Sequence, residues 1–159
     1  MRDIEPDMDY IKYIRGKVGR DMIIVAGAGV FIYKDGKVLL QKRRDNQCWA
    51  LHGGCINIGE TVEEAAKREL YEETGLIAGK LELLGVFSGK DMIYTYPNGD
   101  QVCVVGITYI CRDFKGDPLP DTDETLELKW FDANDMPQNI SPPDRKAFEA
   151  FADWVKNAV

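Results

Sequence analysis

The feature that most constrains the fold of this chain is a helix whose two ends are marked in the sequence. Thr61 and Glu64 have the spacing of a capping box, in which each side chain accepts a hydrogen bond from the other residue's backbone N–H. Gly75 stands where a left-handed residue commonly ends a helix. The pattern therefore predicts a helix over residues 62–73, and any fold of the chain has to accommodate it.

This predicted helix carries acidic residues on its apolar side. At about 100° per residue, one stripe collects the aliphatic side chains Val62, Ala65, Ala66 and Leu70. Glu69 and Glu73 fall in the middle of that stripe, and Glu72 lies at its edge. Clustered, half-buried carboxylates either take up protons or bind a cation, whereas an ordinary surface helix would turn them to the opposite side. All-oxygen ligation suits a hard ion such as Mg²⁺ or Mn²⁺.

The remaining pattern predicts a mixed sheet with helices around it. Predicted strands are residues 22–33, 38–43, 81–87, 92–96, 101–111 and 126–131. Asp35-Gly36 and Asn98-Gly99 are typical hairpin turns, and a loop with Trp49 and Gly53-Gly54 precedes the marked helix. The fold class is therefore expected to be α/β (α+β), as one domain over residues 1–159.

Two more helices are expected outside this core. The helical spacing of Ile11, Ile14 and Val18 predicts a short one over about residues 7–18. Near the end of the chain, Ser141-Pro142-Pro143 is expected to cap a helix over about residues 143–157. The aromatic and aliphatic side chains that share one face of it are Phe148, Phe151 and Val155.

Composition and charge limit the class of partner. Among 159 residues, 27 acidic side chains against 20 basic ones give a net charge of −7, which disfavours bulk binding to nucleic acid or an anionic membrane. The apolar stretch 22–33 is too short for a membrane helix, and the acidic start MRDIEPDMDY is unlike a secretion signal. We therefore expect a cytoplasmic protein. The cysteines form no CxxC pair and the chain has one histidine, so a zinc site is disfavoured.

Residues 54–76 read GCINIGETVEEAAKRELYEETGL, and they resemble the Nudix box, G-x5-E-x7-R-E-U-x-E-E-x-G-U, where U is aliphatic. All constrained positions match, namely Gly54, Glu60, Arg68, Glu69, Leu70, Glu72, Glu73, Gly75 and Leu76. The chain is similar to this family along nearly its whole length, with two predicted strands and a Trp before the double glycine. The resemblance implies a Nudix-like α/β/α sandwich.

The resemblance also implies an activity. Nudix enzymes hydrolyse a nucleoside diphosphate linked to another group, so the expected substrate is a nucleotide, a nucleotide sugar or a nucleoside triphosphate, with Mg²⁺, or alternatively Mn²⁺, as cofactor. The implied metal ligands are Glu69, Glu72, Glu73 and the backbone carbonyl of Gly53, and the three glutamates would also be catalytic. Glu60 and Arg68, together with Gly54, would orient the helix against the loop. An anionic diphosphate would be repelled by these acids unless a cation bridges the two.

Many members of the family add a distal carboxylate as a ligand or base. The candidates here are Asp121, Asp123, Glu124 and Glu127. We favour Glu124, six residues before Trp130 at the start of the last predicted strand, and take Glu127 as the second choice. The alternative is that these acids only make the loop soluble.

Substrate contacts are expected outside the box. Arg43 or Arg44 could pair with a phosphate, or could belong to a charged surface run. Tyr94 and Tyr96 could stack on a base, or could pack within the sheet. His52 stands where many relatives have Pro, and it is either a variant loop residue or a contact near the phosphates.

Two other functions are compatible with the sequence. The first is a non-catalytic nucleotide-binding sensor, although sensor domains of this kind generally lose a box glutamate and this chain keeps them all. The second is RNA 5′-end pyrophosphohydrolysis, against which the acidic balance counts. The segments YIKYIRGKVG and FSGKDMIYTYPNGDQV resemble a bacterial Nudix subgroup often found as dimers, so a homodimer is also expected.

Overall fold

The structure is a computed structural model that describes residues 8–119 and 123–158. The helices are α1 (Tyr10–Val18), α2 (Val62–Thr74) and α3 (Arg145–Asn157), with 3₁₀ turns at Lys90–Met92 and Pro142–Asp144. The strands are β1 (Ile23–Lys34), β2 (Lys37–Arg43), β3 (Trp49–Ala50), β4 (His52–Cys55), β5 (Ile77–Ala78), β6 (Leu81–Phe87), β7 (Ile93–Thr95), β8 (Gln101–Cys111), β9 (Phe114–Lys115) and β10 (Thr125–Asp132). In the described ranges, no helix is both long and apolar enough to cross a membrane.

The central sheet is mixed. Its strand order over the described residues is β10-β2-β1-β8-β6, with β3, β4 and β7 paired to β2, β1 and β8 respectively. β1 is antiparallel to β2 and parallel to β8, with Ile23 opposite Val102. Parallel neighbours need a long crossover connection, and the chain between β1 and β8 carries α2 onto the sheet. β5 and β9 form a separate two-stranded pair.

Helices cover both faces of this sheet. α2 packs on one face through Ala66 and Leu70, in a buried cluster with Leu39 of β2. α3 packs on the other face, where Phe151 stacks on Phe31 of β1 with ring centroids 4.3 Å apart. Successive strand residues alternate between the two clusters, as expected for a sheet buried on both sides. The predicted α/β/α arrangement is confirmed.

The marked helix forms as its sequence predicts. Thr61 Oγ1 accepts a hydrogen bond from Glu64 N at 3.1 Å, and Glu64 Oε2 accepts one from Thr61 N at 2.9 Å. Gly75 ends the helix with φ 77°, a left-handed conformation that costs glycine little because it lacks a Cβ. The helix runs one residue beyond the predicted end.

The prediction of a loop around the double glycine was wrong. Residues 52–55 form β4, whose backbone pairs with β1 so that Gly53 lies opposite Gly29. A Cβ on Gly53 would collide with the backbone of Ala28, so the strand needs glycine in order to approach β1 this closely. Glycine weakens local strand propensity, and for this reason the pattern alone did not reveal the strand.

The outer helices differ in detail from their predictions. α1 begins at Tyr10, with Asp9 accepting a hydrogen bond from Lys12 N at 3.2 Å, and residue 7 lies outside the described ranges. Ser141 was wrongly predicted to cap the C-terminal helix. Its hydroxyl makes no capping bond and instead accepts a hydrogen bond from Asn46 Nδ2 at 3.1 Å. A 3₁₀ turn of two prolines and Asp144 leads into α3 in its place.

Candidate active site

α2 exposes its three C-terminal glutamates to very different extents. The side chains of Glu73, Glu69 and Glu72 are 5%, 13% and 56% exposed respectively. This order follows the helical phase, because the middle of the apolar stripe packs on the sheet and its edge meets solvent. The predicted inward orientation of Glu69 and Glu73 is therefore confirmed as a matter of geometry.

Glu73 lies in the most enclosed position. Its Oε2 accepts hydrogen bonds from Gln41 Nε2 at 2.5 Å and from Gly53 N at 3.2 Å. Burial, and then the charge of Glu124, raise the pKa of Glu73 well above its ordinary value. The carboxylate is thus held by one side chain from β2 and one backbone group from β4, and no cationic side chain contacts it among the hydrogen bonds and ion pairs of the described residues.

Arg68 joins α2 to the segment that precedes it. It donates to both carboxylate oxygens of Glu60, at 2.6 and 2.9 Å, and to the carbonyl of Cys55 at 3.0 Å. Toward the other side it donates to Glu69 Oε1 at 2.9 Å and to Glu72 at 3.3 Å. A planar guanidinium can serve several acceptors in this way at once, so the two predicted supporting residues do contact each other.

The exposure of Glu69 is intermediate between that of the buried Glu73 and that of the exposed Glu72. Burial, and then the charge of Glu73, raise its pKa to about 7, although Arg68 opposes this shift. A Cβ on Gly54 would collide with the Glu69 carboxylate. The second glycine of the pair therefore leaves β4 open at the point where Glu69 packs against it.

His52 differs from both of its predicted roles. It lies in β4 rather than in a loop, and its side chain is fully buried, so it cannot contact a substrate in this structure. Nε2 lies 2.9 Å from the carbonyl of Leu39 and must donate to it. Nδ1 is the buried side-chain polar atom without a hydrogen-bond partner in the described residues, and it lies 3.7 Å from Glu73 Oε2. Burial lowers the pKa of His52 to about 4, so the ring is neutral at pH 7.

An open cleft leads from Glu69 and Glu72 toward α1 and the β7–β8 hairpin, and the buried Glu73 is not among the residues that line it. Among its lining residues beyond the box are Ile11, Arg15, Arg43, Tyr96, Asp100 and Glu124. An apolar pocket adjoins the glycines of β4 and includes Val25, Leu51, Phe87, Met92, Val104 and Asp144. The cleft and the pocket adjoin, because lining residues that include Arg43, Gly53 and Tyr96 are common to both.

The candidate distal carboxylates fall in different places. Glu124 is exposed, lines the cleft and acts electrostatically on Glu73. Glu127 lies opposite Lys42 in the β10–β2 ladder and is not among the residues that line the cleft. Asp123 is exposed and uses its carbonyl to accept from Arg44, while Asp121 lies outside the described residues. The structure thus brings Glu124 to the site.

The candidate substrate contacts also separate. Arg43 lines the cleft, where it forms a two-bond ion pair with Asp45 at 2.9 and 2.8 Å and lies 5.9 Å from the centre of the Tyr96 ring. Arg44 directs its guanidinium to the backbone carbonyls at residues 123 and 125. Tyr94 packs edge-on to Tyr96, with ring centroids 4.9 Å apart. Arg43 and Tyr96 are therefore the two that face the cleft.

Two residues of this region escaped the sequence reasoning. Gln41 lies in β2 and is 2% exposed. The sequence feature that could have predicted its burial is the position of this amide directly after the aliphatic residues of KVLLQKR. Asp144 lines the apolar pocket and accepts a hydrogen bond from Leu51 N at 3.3 Å, and burial raises its pKa to about 6. No local pattern marked Asp144, because its burial depends on α3 packing against the sheet.

The donor chemistry of this site fits a hard divalent cation. The carboxylates of the buried Glu73 and the partly buried Glu69 repel each other, and glycine at positions 53 and 54 brings bare backbone beside them. Carboxylate and carbonyl oxygens are the ligands that Mg²⁺ and Mn²⁺ prefer. The arrangement is not a preformed cage, since in residues 8–119 and 123–158 no three His, Cys, Asp or Glu side chains converge with metal-binding spacing. Arg68 and Gln41 contact these carboxylates instead.

Comparison with known proteins agrees with this geometry. A family model described as NUDIX domain matches residues 24–151. The chain is 44% identical over 126 residues to the ADP-ribose pyrophosphatase of Methanocaldococcus jannaschii, covering 77% of this chain and 70% of the relative. It is 43% identical over 117 residues to a MutT-like protein of Streptomyces ambofaciens, covering 74% and 69%. The crystal structure of a MutT NUDIX hydrolase from Burkholderia pseudomallei matches with a TM-score of 0.69 at 33% identity, covering 80% of this chain and 98% of that one.

Proposed function

Given that the chain belongs to the Nudix family and is a Nudix hydrolase, we propose that it cleaves the diphosphate of a nucleoside diphosphate joined to a sugar, with Mg²⁺ as its cofactor. Nudix hydrolases generally use divalent metals and act on nucleoside diphosphate derivatives. The observation that carries the proposal is the buried Glu73 together with the partly buried Glu69, facing a strand that is bare of side chains at Gly53 and Gly54. The choice of a nucleotide sugar is supported by the 44% identity to a protein named ADP-ribose pyrophosphatase.

In this proposal the protein's own groups hold the cation and the diphosphate in place. The proposed ligands are Glu69, Glu72, Glu73 and the backbone carbonyl of Gly53. Because Glu73 Oε2 already accepts two hydrogen bonds, its Oε1 is the oxygen proposed to bind the ion. The ion, when bound, neutralises phosphate oxygens and lowers the pKa of an attacking water. Arg68 bonds to both Glu69 and Glu60, which keeps α2 in position against the segment that precedes it.

The nucleoside is proposed to occupy the apolar pocket beside the glycines. The pocket is continuous with the cleft, and Tyr96 lies at the junction with Arg43 above its ring. Arg43 offers a positive charge at the point where the diphosphate would pass, although Asp45 already shares it. A small nucleotide suits the net charge of −7 better than a long RNA does.

The test is hydrolysis of a panel of substrates by the purified protein with Mg²⁺ or Mn²⁺, followed by separation of the products. We expect ADP-ribose plus water to give AMP and ribose 5-phosphate with the highest kcat/KM. The panel also holds oxidised and normal nucleoside triphosphates, dinucleoside polyphosphates, NADH and 5′-triphosphate RNA. Tight binding without hydrolysis would support a sensor instead, and preference for the RNA would support 5′-end pyrophosphohydrolysis.

Two matched variants locate the activity on α2. Glu73→Gln removes a proposed ligand and is expected to lower kcat by at least about 10²-fold. Glu63→Gln makes the same substitution on an exposed position of the same helix and should leave kcat unchanged. Normal turnover by Glu73→Gln, or full activity in EDTA, would refute the proposed site.

The same assay separates the two distal carboxylates. Glu124 is proposed as the added ligand or base, because it lines the cleft and acts on Glu73. Glu124→Gln should therefore lower kcat by about 10-fold or more, while Glu127→Gln should not. The reverse result would transfer the role to Glu127.

A further inference from the structure

We infer that Gln41 is a positioning residue that sets the cation affinity of this site, because its buried amide ties the carboxylate of Glu73 to Thr125 beside Glu124. The inference rests on the proposed function, since it concerns the affinity of the proposed metal ligands. Nothing in the box motif points to Gln41, which precedes the box by a dozen residues on another strand.

Both polar atoms of the Gln41 side chain are committed. Nε2 donates to Glu73 Oε2 at 2.5 Å and to the carbonyl of Leu51 at 3.1 Å. Oε1 accepts from Thr125 Oγ1 at 2.8 Å. These partners fix which way round the amide lies, because the carboxylate and the carbonyl are both acceptors and therefore need its N–H groups. Gln41 and Thr125 are 2% and 0% exposed, so water cannot substitute for these bonds.

The amide therefore connects three elements that carry parts of the site. β2 supplies Gln41, α2 supplies Glu73, and β10 begins with Thr125. The backbone carbonyl of Glu124 accepts from the N–H of Arg44, the residue that follows β2, at 3.0 Å. These contacts tie the start of β10, next to Glu124, to the strand that also holds Glu73.

Other nearby groups cannot take over this role. Gly53 N reaches Glu73 Oε2 at 3.2 Å, but it belongs to the strand ladder and cannot turn. His52 Nδ1 lies 3.7 Å away and carries no proton in the tautomer fixed by Leu39. Loss of the Gln41 amide would leave Gly53 N as the remaining hydrogen-bond donor to Glu73 among the described residues, and would leave the Thr125 hydroxyl without its acceptor. Groups that orient metal ligands in this way typically account for 10–100-fold in metal affinity or activity.

The test measures Mn²⁺ binding directly, by isothermal titration calorimetry without nucleotide. Gln41→Met removes the amide while keeping the length of the side chain, and we expect the dissociation constant for Mn²⁺ to rise by about 10–100-fold. Gln138→Met makes the same neutral substitution at an exposed position that does not line the cleft, and serves as the matched control with unchanged affinity. Thermal unfolding of each variant shows whether it is folded.

Thr125 provides a second variant that leaves Gln41 in place. Thr125→Val removes the hydroxyl that fixes the amide, so Mn²⁺ binding should weaken in the same direction by a smaller factor, while Thr125→Ser should restore the wild-type value. In turnover assays the apparent KM for Mn²⁺ should rise in Gln41→Met and Thr125→Val by more than kcat falls. If Gln41 and Thr125 had a merely structural role, these variants would lower thermal stability, but the apparent KM for Mn²⁺ would not rise by more than kcat falls.

The outcomes separate the inference from the proposed function. If the wild type binds no Mn²⁺, or Glu73→Gln binds it equally well, the proposed site itself is refuted. If the wild type binds Mn²⁺ through Glu73 but Gln41→Met and Thr125→Val bind it with unchanged affinity, only the role of Gln41 is refuted. Should Gln41→Met fail to fold, the comparison of Thr125→Val with Thr125→Ser decides the question.

Discussion

The two walls of the cleft are held in different ways. The inner wall, β4 and α2 (residues 52–74), packs on the sheet and carries the buried residues Ala66, Leu70 and Glu73. The outer wall consists of α1 and the β7–β8 hairpin (residues 10–18 and 93–103). The hairpin belongs to the central sheet through β8, whereas no residue of α1 is fully buried and polar contacts attach α1 to the rest of the protein. Tyr10 N donates to Asn57 Oδ1 at 3.1 Å, and Arg15 Nη2 donates to the carbonyl of Gln101 at 2.7 Å.

We interpret this difference as a difference in role: the inner wall carries the proposed metal ligands, and the outer wall carries the proposed substrate contacts. Ligands for a small cation must be held within a fraction of an ångström, and burial with many hydrogen bonds provides that stiffness. A wall that meets the substrate gains from being able to move, and segments with few buried contacts open at low free-energy cost. α1 also precedes residues 24–151, which the family model matches, so this part of the outer wall lies outside the sequence that the family model describes.

The largest effect is expected where the inner wall is tied together. Arg68→Met would leave Glu60, Glu69 and Glu72 facing one another without their shared cation. Breaking a partly buried ion-pair network costs about 3 kcal/mol in the free energy of unfolding, and solvent access to 28% of the Arg68 side chain keeps the cost at the low end. The midpoint of thermal unfolding should fall by about 6–12 °C.

The matched control lies on the same helix. Lys67→Met changes an exposed cation one residue away and should alter the unfolding midpoint by less than about 2 °C. If Arg68→Met unfolds at the wild-type temperature, the network does not stabilise the inner wall, and the contrast between the walls is lost.

The sequence predicted α2, the helical part of the inner wall, well because its signals are local. The capping box, the glycine cap and the phase of Glu69 and Glu73 all lie within one helix, and each acts through neighbours three or four residues away. β4 was missed because its glycines are chosen for the approach of β1 and not for strand propensity. The buried positions of His52 and Gln41 could not be predicted, since their partners Leu39, Leu51 and Thr125 come together only when the strands pair.

A pair of glycine substitutions gives the next effect in size. A Cβ on Gly54 would collide with the Glu69 carboxylate, so Gly54→Ala should force β4 and α2 apart within the inner wall. Overpacking of this kind costs about 1–3 kcal/mol in the free energy of unfolding. Gly16 in α1 has open space around its Cα, and Gly16→Ala should leave that free energy unchanged or raise it by up to about 1 kcal/mol.

Denaturant unfolding of both variants measures this contrast. Activity provides the second readout, because Gly54→Ala should also lower kcat while Gly16→Ala should not. Equal stabilities for the two variants would mean that the inner wall can relax around an added methyl group, and its stiffness would then be no greater than that of α1.

The smallest expected effect concerns the attachment of the outer wall. Arg15 Nη1 donates to the carbonyls of Gly19 and Asp21, at 3.1 and 2.8 Å, and Nη2 reaches the hairpin at Gln101. Arg15→Met removes these bonds from α1. These bonds come from a charged donor but are exposed, so together they are worth about 1.5 kcal/mol, and the amides of α1 should lose about 10-fold of their hydrogen-exchange protection.

This loss should stay local, which is why it distinguishes the walls. Because α1 adds no buried side chain to either core cluster, its detachment should leave the global unfolding midpoint within about 2 °C of the wild type. The KM for the nucleotide should rise several-fold with kcat nearly constant, since the outer wall is proposed to contact the substrate and not the metal ligands. Lys12→Met, at an exposed position of α1, is the control for charge. If Arg15→Met lowers the global midpoint as much as Arg68→Met does, the outer wall is part of the same cooperative unit as the inner one.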